Sequence, residues 1–586
     1  MQVEYTFTDL APSLVAAARK KFKQYSFMKF RTHNIESPPD TDLIGTQHIV
    51  VASNAIHATH SLRKSAENTR KFLRPDGLLM LLEMTDTMYW VDMVFGLFEG
   101  WWFFDDGRVH AVVSESRWAE ELQAVGYGHV GWTDGSRPEN KLEKLIIAMA
   151  SGERCDSVPQ SVQSQTADIT ARQENIDRYV REMTNDFGTN LDRSRNGDRH
   201  DFIPHGKWVV ITGGTGSLGA HLVAHLARLP DVHRVVCLNR RSKQEPRERQ
   251  EESFAKKGIL MTNEDMEKLI IFQTDLSEHE LGLSTEDYGK LTHHVTHIVH
   301  NAWLMNAKWP VQRFEPQFRI MGNMLELAAN ASATRHHGSR ITFQFISSIA
   351  TVGHWPLWAG NANVPEERML INSVLPTGYG DAKYICELMI DETLHKYPHR
   401  YRAAVVRLGQ VAGSSTSGYW NSMEHFSFIV KSSQTLKAFP RFGGLLSWTP
   451  VDQVAGTLVD LVLLSDDIEL HPVYHVDNPI RQAWQDMTPV LADALEIPST
   501  NVIPFKDWLE RVKDSFRSAQ APERDNPAIL LLDFLDDNFL RMSCGGLLLD
   551  TTNTREHSKT LRNVGPVSQS LARRFVKAWK ENGFLK

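Results

Sequence analysis

Residues 209–223 read VVITGGTGSLGAHLV, and this stretch decides the fold of the larger part of the chain. Its first three residues are a β-branched and apolar run that is typical of a buried strand. Glycines then follow at intervals of three residues, at Gly213, Gly216 and Gly219, and the sequence passes directly into an apolar helical pattern. Strand, glycine-rich turn and helix in this order predict a Rossmann-type unit with a doubly wound parallel sheet.

The turn itself is the predicted binding loop for a dinucleotide. Glycines let bare backbone approach a pyrophosphate, and the unpaired N–H groups and dipole of the following helix favour an anion there. The loop residues that we expect to contact the cofactor are Gly213, Thr215, Gly216, Ser217, Leu218 and Gly219.

The second strand, HRVVCLNRR, ends near Leu238 and Asn239, and Arg240 and Arg241 follow it. A cofactor without a 2′-phosphate usually meets an Asp or Glu at this point. Guanidinium groups instead bind phosphate bidentately, so the arginine pair favours NADPH over NADH. The alternative is a solvated basic turn without a ligand.

Two further strands are expected at KLIIFQTDL and at THIVHNAW, which covers residues 296–303. The first of them ends at Asp275 and Leu276. An acidic residue at this end is placed to face the adenine amino group, so both residues are predicted cofactor contacts.

Catalytic residues are predicted from FQFISSIATVG and from YGDAK. Ser347 and Ser348 lie at the carboxyl end of a strand-like run, where ligands bind in open α/β sheets. Tyr379 and Lys383 are four residues apart and share one helix face. A lysine ammonium beside a phenol lowers the pKa of the phenol, which makes the tyrosine a proton donor near neutral pH. Spacing favours Ser348 as the assisting hydroxyl, with Ser347 as the alternative.

The motifs TGGTGSLG, LNRR, HNAW, SSIATVG, YGDAK and RLGQVAG together resemble the extended short-chain dehydrogenase/reductases. They are similar in particular to the thioester-reductase domains that terminate carboxylic acid reductases, non-ribosomal peptide synthetases and some fungal polyketide synthases. The resemblance covers about residues 206–586 and adds Asn301 to the cofactor contacts. It implies NADPH-dependent reductive release of a thioester held by an acyl carrier protein.

The first 150 residues alternate strands with helices, which predicts a largely parallel, doubly wound sheet. Strands are expected at EYTFTDL, at IVVASNAIHATH and, from Leu78, at LLMLLEMTD. A helix is expected at LRKSAENTRKFLRPDG, ended by Pro75 and Gly77.

The segments FTDLAPSLV, SNAIHATHSL, FLRPDGLLMLLEMT and GLFEGWWFFDDGR resemble the C-methyltransferase domain of fungal polyketide synthases. The resemblance implies that His57 is the base and that Glu83 orients it, and it makes Asp9 a candidate contact for a cosubstrate ribose. Such enzymes bind S-adenosylmethionine with a glycine-rich loop that would precede EYTFTDL. We therefore expect a truncated class I methyltransferase-like domain that does not bind S-adenosylmethionine measurably.

Composition sets the domain plan and the broad class. The chain has 586 residues and is expected to hold a methyltransferase-like domain at 1–150, a linker at 151–205 that is rich in Ser, Gln, Asp and Arg, and a reductase domain at 206–586. Three amphipathic helices predict a small helical cap, mainly at 475–586.

The net charge of −7 without a basic stripe argues against nucleic acid as a partner. Four scattered cysteines fit a reducing cytoplasm and predict no metal site. Without a signal pattern or a long apolar run, no membrane association is expected.

The sequence therefore predicts reductive release of a phosphopantetheine-linked polyketide as an aldehyde, by an enzyme of secondary metabolism. One alternative is an extended dehydrogenase that acts on a free small-molecule ketone or alcohol, and another is a non-catalytic protein that docks onto a synthase. The sequence leaves open whether the chain is a fragment of a larger synthase or a stand-alone descendant.

Overall fold

The computed structural model describes residues 4–87, 89–133, 143–151, 162–188, 206–306, 309–335, 339–517 and 524–586. Contacts between residues divide the chain into two compact units, 1–172 and 173–586.

The first unit contains two small sheets and the helices packed on them. Its strands are β1 (Tyr5–Asp9), β2 (Met28–Thr32), β3 (Gln47–Ser53), β4 (Leu73–Met84), β5 (Val130–Trp132) and β6 (Glu143–Met149). Its helices are α1 (Pro12–Lys21), α2 (Leu62–Phe72), α3 (Tyr89–Phe95) and α4 (Glu115–Ala124), and α5 (Val162–Thr184) crosses into the second unit.

This unit has two separate sheets, one of them mixed, which corrects the expectation of one largely parallel sheet. Strands β1 and β2 pair in parallel by themselves. The other sheet has the order β3-β4-β6-β5, in which β3 and β4 are parallel and the remaining pairs are antiparallel. The α/β class is nevertheless as predicted.

The predicted end of α2 at Pro75 and Gly77 is also corrected. The helix ends at Phe72, because the chain then joins the sheet: Leu73 already pairs with Gln47, and Pro75 and Gly77 lie inside β4. A register shift between Gln47 and Ile49 absorbs this irregular start.

One face of the β3-β4-β6-β5 sheet packs against α2 and α4, with Leu79, Leu81 and Ile146 fully buried. On the other face, Ile49 and Val51 of β3 are 55% and 60% exposed. Within the described residues, this apolar face therefore lies largely open to solvent.

The second unit is built on a seven-stranded sheet of order β18-β13-β11-β10-β7-β8-β9, in which all pairs are parallel. This confirms the predicted Rossmann-type architecture. The strands of the unit are β7 (Lys207–Thr212), β8 (Val232–Arg240), β9 (Leu269–Thr274), β10 (His297–His300), β11 (Ile341–Ser348), β12 (Asn363–Val364), β13 (Tyr401–Leu408), β14 (Val411–Ala412), β15 (Phe439–Arg441), β16 (Leu445–Leu446), β17 (Thr449–Pro450), β18 (Val473–Val476), β19 (Gln482–Ala483), β20 (Val502–Pro504) and β21 (Leu548–Leu549).

Helices cover both faces of this sheet and form the cap. They are α6 (Ser217–Ala227), α7 (Pro246–Lys257), α8 (Asn263–Glu267), α9 (Thr285–His294), α10 (Glu315–Ala333), α11 (Trp355–Ala359), α12 (Gly378–Glu392), α13 (His425–Leu436), α14 (Val451–Val462), α15 (Trp484–Ala494), α16 (Phe505–Arg517), α17 (Leu532–Asp537), α18 (Phe539–Ser543), α19 (Thr552–His557), α20 (Lys559–Arg562) and α21 (Gln569–Glu581).

The cap has its own aromatic core, and this core begins before residue 475. Trp484, Trp508 and Trp579 are fully buried in it, together with Trp420 and Phe426 from the preceding segment. Helix α13 thus belongs with α15, α16 and α21, because its apolar side chains fill the same core.

The second half of α5 also belongs to this unit. Tyr179 is buried, its ring lies 5.0 Å from that of Phe318, and its hydroxyl donates to Glu315 at 3.0 Å. Of the expected linker, residues 152–161 and 189–205 lie outside the described residues, and residues 173–188 are part of the second unit.

Candidate active site

The glycine-rich turn connects β7 to α6 in the predicted way. Gly213 has a φ of +73°, and a Cβ built on Gly219 would lie 2.1 Å from the Gly213 carbonyl oxygen. Strand and helix therefore approach more closely than any side chain would allow. No side chain caps the first turn of α6, which includes Ser217 and Leu218, so its N–H groups remain available to an anion.

The peptide of Thr215 is held by two side chains that the sequence analysis missed. Its carbonyl oxygen accepts from Ser253 Oγ at 3.0 Å and from Lys257 Nζ at 3.2 Å. Lys257 is buried, and burial lowers its pKa to about 8. Both side chains come from α7, so nothing local in the turn could have indicated them.

Asn301 follows β10 and lies beside the loop. Its backbone N–H and that of Ala302 both donate to Thr212 Oγ1, at 3.0 and 2.8 Å. The Asn301 side chain donates to the Thr212 carbonyl oxygen at 3.3 Å. The end of β10 is thereby fastened to the end of β7, which places Asn301 at the predicted dinucleotide site.

The two predicted arginines have different surroundings. Arg241 forms a bidentate ion pair with Glu278, at 3.2 and 2.8 Å, and both side chains are about half exposed. Arg240 ends β8 and is exposed, and its carbonyl oxygen accepts from Arg249 Nη1 at 2.5 Å. Arg249, nine residues downstream on α7, therefore joins Arg240 as a candidate phosphate ligand.

Asp275 and Leu276 lie just after β9, as predicted. Asp275 Oδ1 accepts from the Ser277 hydroxyl at 2.6 Å and from its backbone N–H at 3.0 Å, and these bonds hold the pKa of Asp275 below its usual value. The other carboxylate oxygen is left for a ligand. Leu276 is buried, and its carbonyl oxygen accepts from Asn323.

Ser347 and Ser348 end β11 but face different partners. Ser347 is buried and donates to Glu387 Oε1 at 2.5 Å. Ser348 is half-buried, its hydroxyl accepts from the Ala350 N–H at 3.2 Å, and it lowers the pKa of the Tyr379 phenol. Ser348 is thus the serine that the structure brings to Tyr379.

Tyr379 and Lys383 lie on α12, but within the described residues no hydrogen bond joins them. Lys383 is buried, donates to the Ile346 carbonyl oxygen at 2.7 Å and has its pKa lowered to about 7 by burial. Burial raises the pKa of Tyr379, and Ser348 offsets part of this rise. The lysine and the phenol lie one helical turn apart on α12, so the expected influence of Lys383 on Tyr379 stays a prediction.

The predicted proton donor Tyr379 and the predicted dinucleotide cradle lie at the same edge of the sheet. The cradle lies at the carboxyl ends of β7, β8, β9 and β10, and Ser348 lies at the end of the adjacent β11. The backbone turn that a Cβ would block, the uncapped helix N-terminus and the exposed arginine all suit a phosphorylated dinucleotide.

The first unit brings together the predicted histidine and glutamate. His57 Nδ1 lies 2.6 Å from Glu83 Oε2, and both side chains are buried. Glu83 Oε1 also accepts from the backbone N–H groups of Ala55 and Ile56, and Arg108 donates to the His57 carbonyl oxygen at 2.9 Å. The sequence analysis missed this arginine.

Asp9 ends β1, where its Oδ1 accepts from the Ala11 N–H at 2.8 Å and closes the turn before α1. The structure does not bring Asp9 into contact with His57 or Glu83 among the described residues. The described part of the chain contains no group of three or more potential metal ligands. In the same part, none of the helices is long and apolar enough to cross a bilayer.

Two family models match the chain. The family described as "Male sterility protein" with an NAD-binding domain matches residues 211–458, from β7 to α14. The family described as "Methyltransferase domain" matches residues 1–79. The first match covers the dinucleotide cradle and the tyrosine, and the second covers the first part of the smaller unit.

Curated relatives match over the whole chain. A non-reducing polyketide synthase of Emericella nidulans is 64% identical over 586 residues, which are 100% of this chain and 22% of the relative. A 3-methylorcinaldehyde synthase of a Phoma species is 53% identical over 609 residues, again 100% of this chain and 22% of the relative. The chain therefore spans about a fifth of the length of these relatives.

Among solved structures, the terminal R domain of the myxalamid pathway is 24% identical, with a TM-score of 0.54. The match covers 66% of this chain and 93% of that domain. This similarity shows that the second unit shares the fold of that domain.

Proposed function

This chain belongs to the non-reducing polyketide synthases, and we propose that its second unit releases a carrier-bound polyketide by reducing the thioester to an aldehyde with NADPH. The observation that carries the proposal is the placement of Ser348 at the end of β11, near Tyr379, whose pKa it lowers, and next to the glycine-rich turn. The first unit is, on this proposal, a methyltransferase-like remnant around His57 and Glu83.

Tyr379 and Ser348 both act on the carbonyl oxygen of the thioester. When bound, NADPH supplies the hydride that the thioester carbonyl carbon accepts. Tyr379 donates its proton to the carbonyl oxygen, and the Ser348 hydroxyl donates a hydrogen bond to the same oxygen, which yields a hemithioacetal. The C–S bond then breaks, the phenolate takes back the hydroxyl proton, and the carrier thiolate leaves and is protonated by water.

Support for the aldehyde as product comes from a relative. The Phoma protein is named for the synthesis of an aldehyde, 3-methylorcinaldehyde. We expect an aromatic acyl thioester of phosphopantetheine, presented by an acyl carrier protein, as the substrate of this chain. A cytoplasmic location accords with the buried free cysteines Cys237 and Cys386.

The proposal is tested with the purified chain, NADPH and an aromatic acyl thioester of a pantetheine analogue. We expect one aldehyde and one free thiol for each NADPH consumed. Reduction of free ketones without any reduction of thioesters would instead identify a dehydrogenase of small molecules. A chain that binds the carrier protein but oxidises no NADPH would be a docking protein.

NADPH is proposed over NADH because Arg240 is exposed at the end of β8, with Arg249 beside it. Replacing Arg240 by Ala should weaken NADPH binding by about 10- to 100-fold, since one charge-assisted bond to phosphate is lost, and leave NADH binding unchanged. Arg241→Ala is the matched control with a smaller effect, because Glu278 already engages that guanidinium. Equal affinity of the unchanged chain for both dinucleotides would contradict this choice.

A further inference from the structure

Within the described residues, Lys383 forms no ion pair. The side chain is 3% exposed. The charge of Glu387, one turn along α12, acts on Lys383, but Oε1 of Glu387 accepts from Ser347 and from Arg407 Nε, and its Oε2 accepts from Arg407 Nη2. Glu387 therefore neutralises Arg407 rather than Lys383.

Two aromatic faces take the place of a counter-ion. Lys383 Nζ lies 3.8 Å from the centroid of the Trp303 ring and 4.8 Å from that of Phe345. Cation–π attraction stabilises an ammonium group, and more strongly when the group is desolvated. A ring face does so without adding a negative charge, so the positive field of Lys383 is preserved at the neighbouring tyrosine.

Trp303 also contacts that tyrosine. The Trp303 ring stands edge-on to Tyr379 with the centroids 6.5 Å apart, and it stacks on Phe314 at 6.2 Å. Its position is thus fixed by Phe314 on one side and by the two residues of the YGDAK motif on the other.

The remaining titratable neighbours do not compete for the positive charge. His300, on β10, stacks on Phe345 at 5.8 Å, and burial together with the charge of Lys383 lowers its pKa to about 3. Thr212 Oγ1 accepts from two backbone N–H groups, so its proton points to His300 Nδ1, and the ring is neutral. Burial raises the pKa of the Cys386 thiol to about 12, so that group is uncharged as well.

We propose that Trp303 is a positioning residue, which holds the Lys383 ammonium group charged and beside Tyr379 through its ring face. The proposal rests on the reductase function proposed above and deepens it. It makes the identity of residue 303 a determinant of the acidity of the catalytic phenol, although Trp303 itself transfers no proton.

The test compares Trp303→Leu, which removes the ring face, with Trp303→Phe, which keeps a weaker one. Competitive acylation of Lys383 by a small reagent across a range of pH, read by peptide mass spectrometry, gives its pKa without turnover. We expect the Leu variant to lower this pKa by about half to one unit, and the Phe variant to lie between Leu and the unchanged chain. Trp358→Leu, at a half-exposed tryptophan of α11, is the matched control with no expected shift.

Kinetics provide the second readout, with both a free aromatic aldehyde and an acyl thioester. The alkaline limb of the pH profile of kcat should move to lower pH in the Leu variant by the same amount, with NADPH affinity within twofold of the unchanged chain. An unchanged chain that reduces the aldehyde but not the thioester would refute the proposed function and leave this inference testable. A Lys383 pKa that is equal in the Leu variant and the unchanged chain, or that falls equally in the Leu and Phe variants, would overturn the inference.

Discussion

At the residue scale, two adjacent serines have opposite surroundings. Ser347 points into the buried ion pair of Glu387 and Arg407, and Ser348 points to the phenol of Tyr379. Successive side chains of a strand point to opposite faces, so Ser347 and Ser348 have different neighbours. Ser347 therefore stabilises the fold, and Ser348 is the candidate for the chemistry.

This difference yields a pair of predicted outcomes. Ser348→Ala should lower kcat by about 100-fold, the usual effect of losing one donor to a developing oxyanion, and should cost only about 0.5–1 kcal/mol of stability, because the Ala350 N–H loses its capping acceptor. Ser347→Ala should destabilise the fold by about 1–3 kcal/mol, because a buried carboxylate loses a donor. Steady-state kinetics and urea unfolding on both variants check the pair, and the reverse pattern would assign the catalytic role to Ser347.

The phenol is tested in the same way. Tyr379→Phe should keep the fold and NADPH binding but lose about two or more decades of turnover, because no proton donor remains at the substrate oxygen. Tyr384 lies on the same helix, is buried and donates to the Met369 carbonyl oxygen at 2.9 Å. Tyr384→Phe is therefore the control: we expect about 1 kcal/mol of lost stability and nearly unchanged turnover. Thioester reduction by the Tyr379 variant at the unchanged rate would remove this residue from the mechanism.

At the element scale, α12 is fastened to the strand ends by one buried ion pair. Arg407 at the end of β13 donates to Glu387 through Nε and Nη2, at 3.1 and 2.7 Å, and to the Glu367 carbonyl oxygen at 2.9 Å. Both charged side chains are buried. The pair therefore holds α12, which carries Tyr379 and Lys383, against the end of β13.

Removing one partner leaves an uncompensated buried charge. Glu387→Leu should therefore cost about 3–5 kcal/mol of unfolding free energy, and the double variant Glu387→Leu with Arg407→Leu should recover most of it. Denaturant unfolding of the four members of this double-mutant cycle gives the coupling energy. Additive losses would show that the pair contributes little as a pair.

At the scale of the whole molecule, contacts join the second half of α5 to the second unit, and we propose that the reductase domain begins there and not at residue 206. Ile176, Tyr179 and Val180 are buried within the second unit. Burial of side chains of this size contributes about 1.5–3 kcal/mol each before the entropy of ordering the helix is subtracted.

Two fragments test this boundary. A fragment of residues 173–586 should reduce thioesters like the full chain. It should also melt at a higher temperature than residues 206–586, because only the longer fragment contains Tyr179, which packs against the second unit. Calorimetric melting and turnover of both fragments provide the measurement. Equal melting temperatures would place the helix outside the cooperative unit, and an inactive but folded 173–586 would give the first unit a role in the reductase.

The first unit has large apolar side chains that no described residue shields from solvent, and we expect its solubility to depend on their being shielded. Ile49 and Val51 lie on an open sheet face, and Trp90 and Leu97 of the α3 region are 59% and 84% exposed. Residues 1–150 alone should therefore aggregate, since apolar patches of this kind associate. Titration calorimetry should find no binding of S-adenosylmethionine to the full chain, and micromolar binding would show a working methyltransferase site around His57.

Local sequence alone determined the Rossmann start, because strand, glycine turn and helix are contiguous and each glycine meets a steric demand within its own turn. It also determined that Tyr379 and Lys383 share a helix, since their spacing matches the helical period. Contacts between distant segments were decided by the tertiary structure. Glu278 binds Arg241 from 37 residues away, and Lys257 holds the Thr215 peptide from 42 residues away. The aromatic face over Lys383 comes from the loop after β10, the strand beside β11. Such contacts depend on the order of the strands in the sheet, because this order decides which strand ends lie next to each other. The strand order is set by packing of the whole core and cannot be derived from a local sequence pattern.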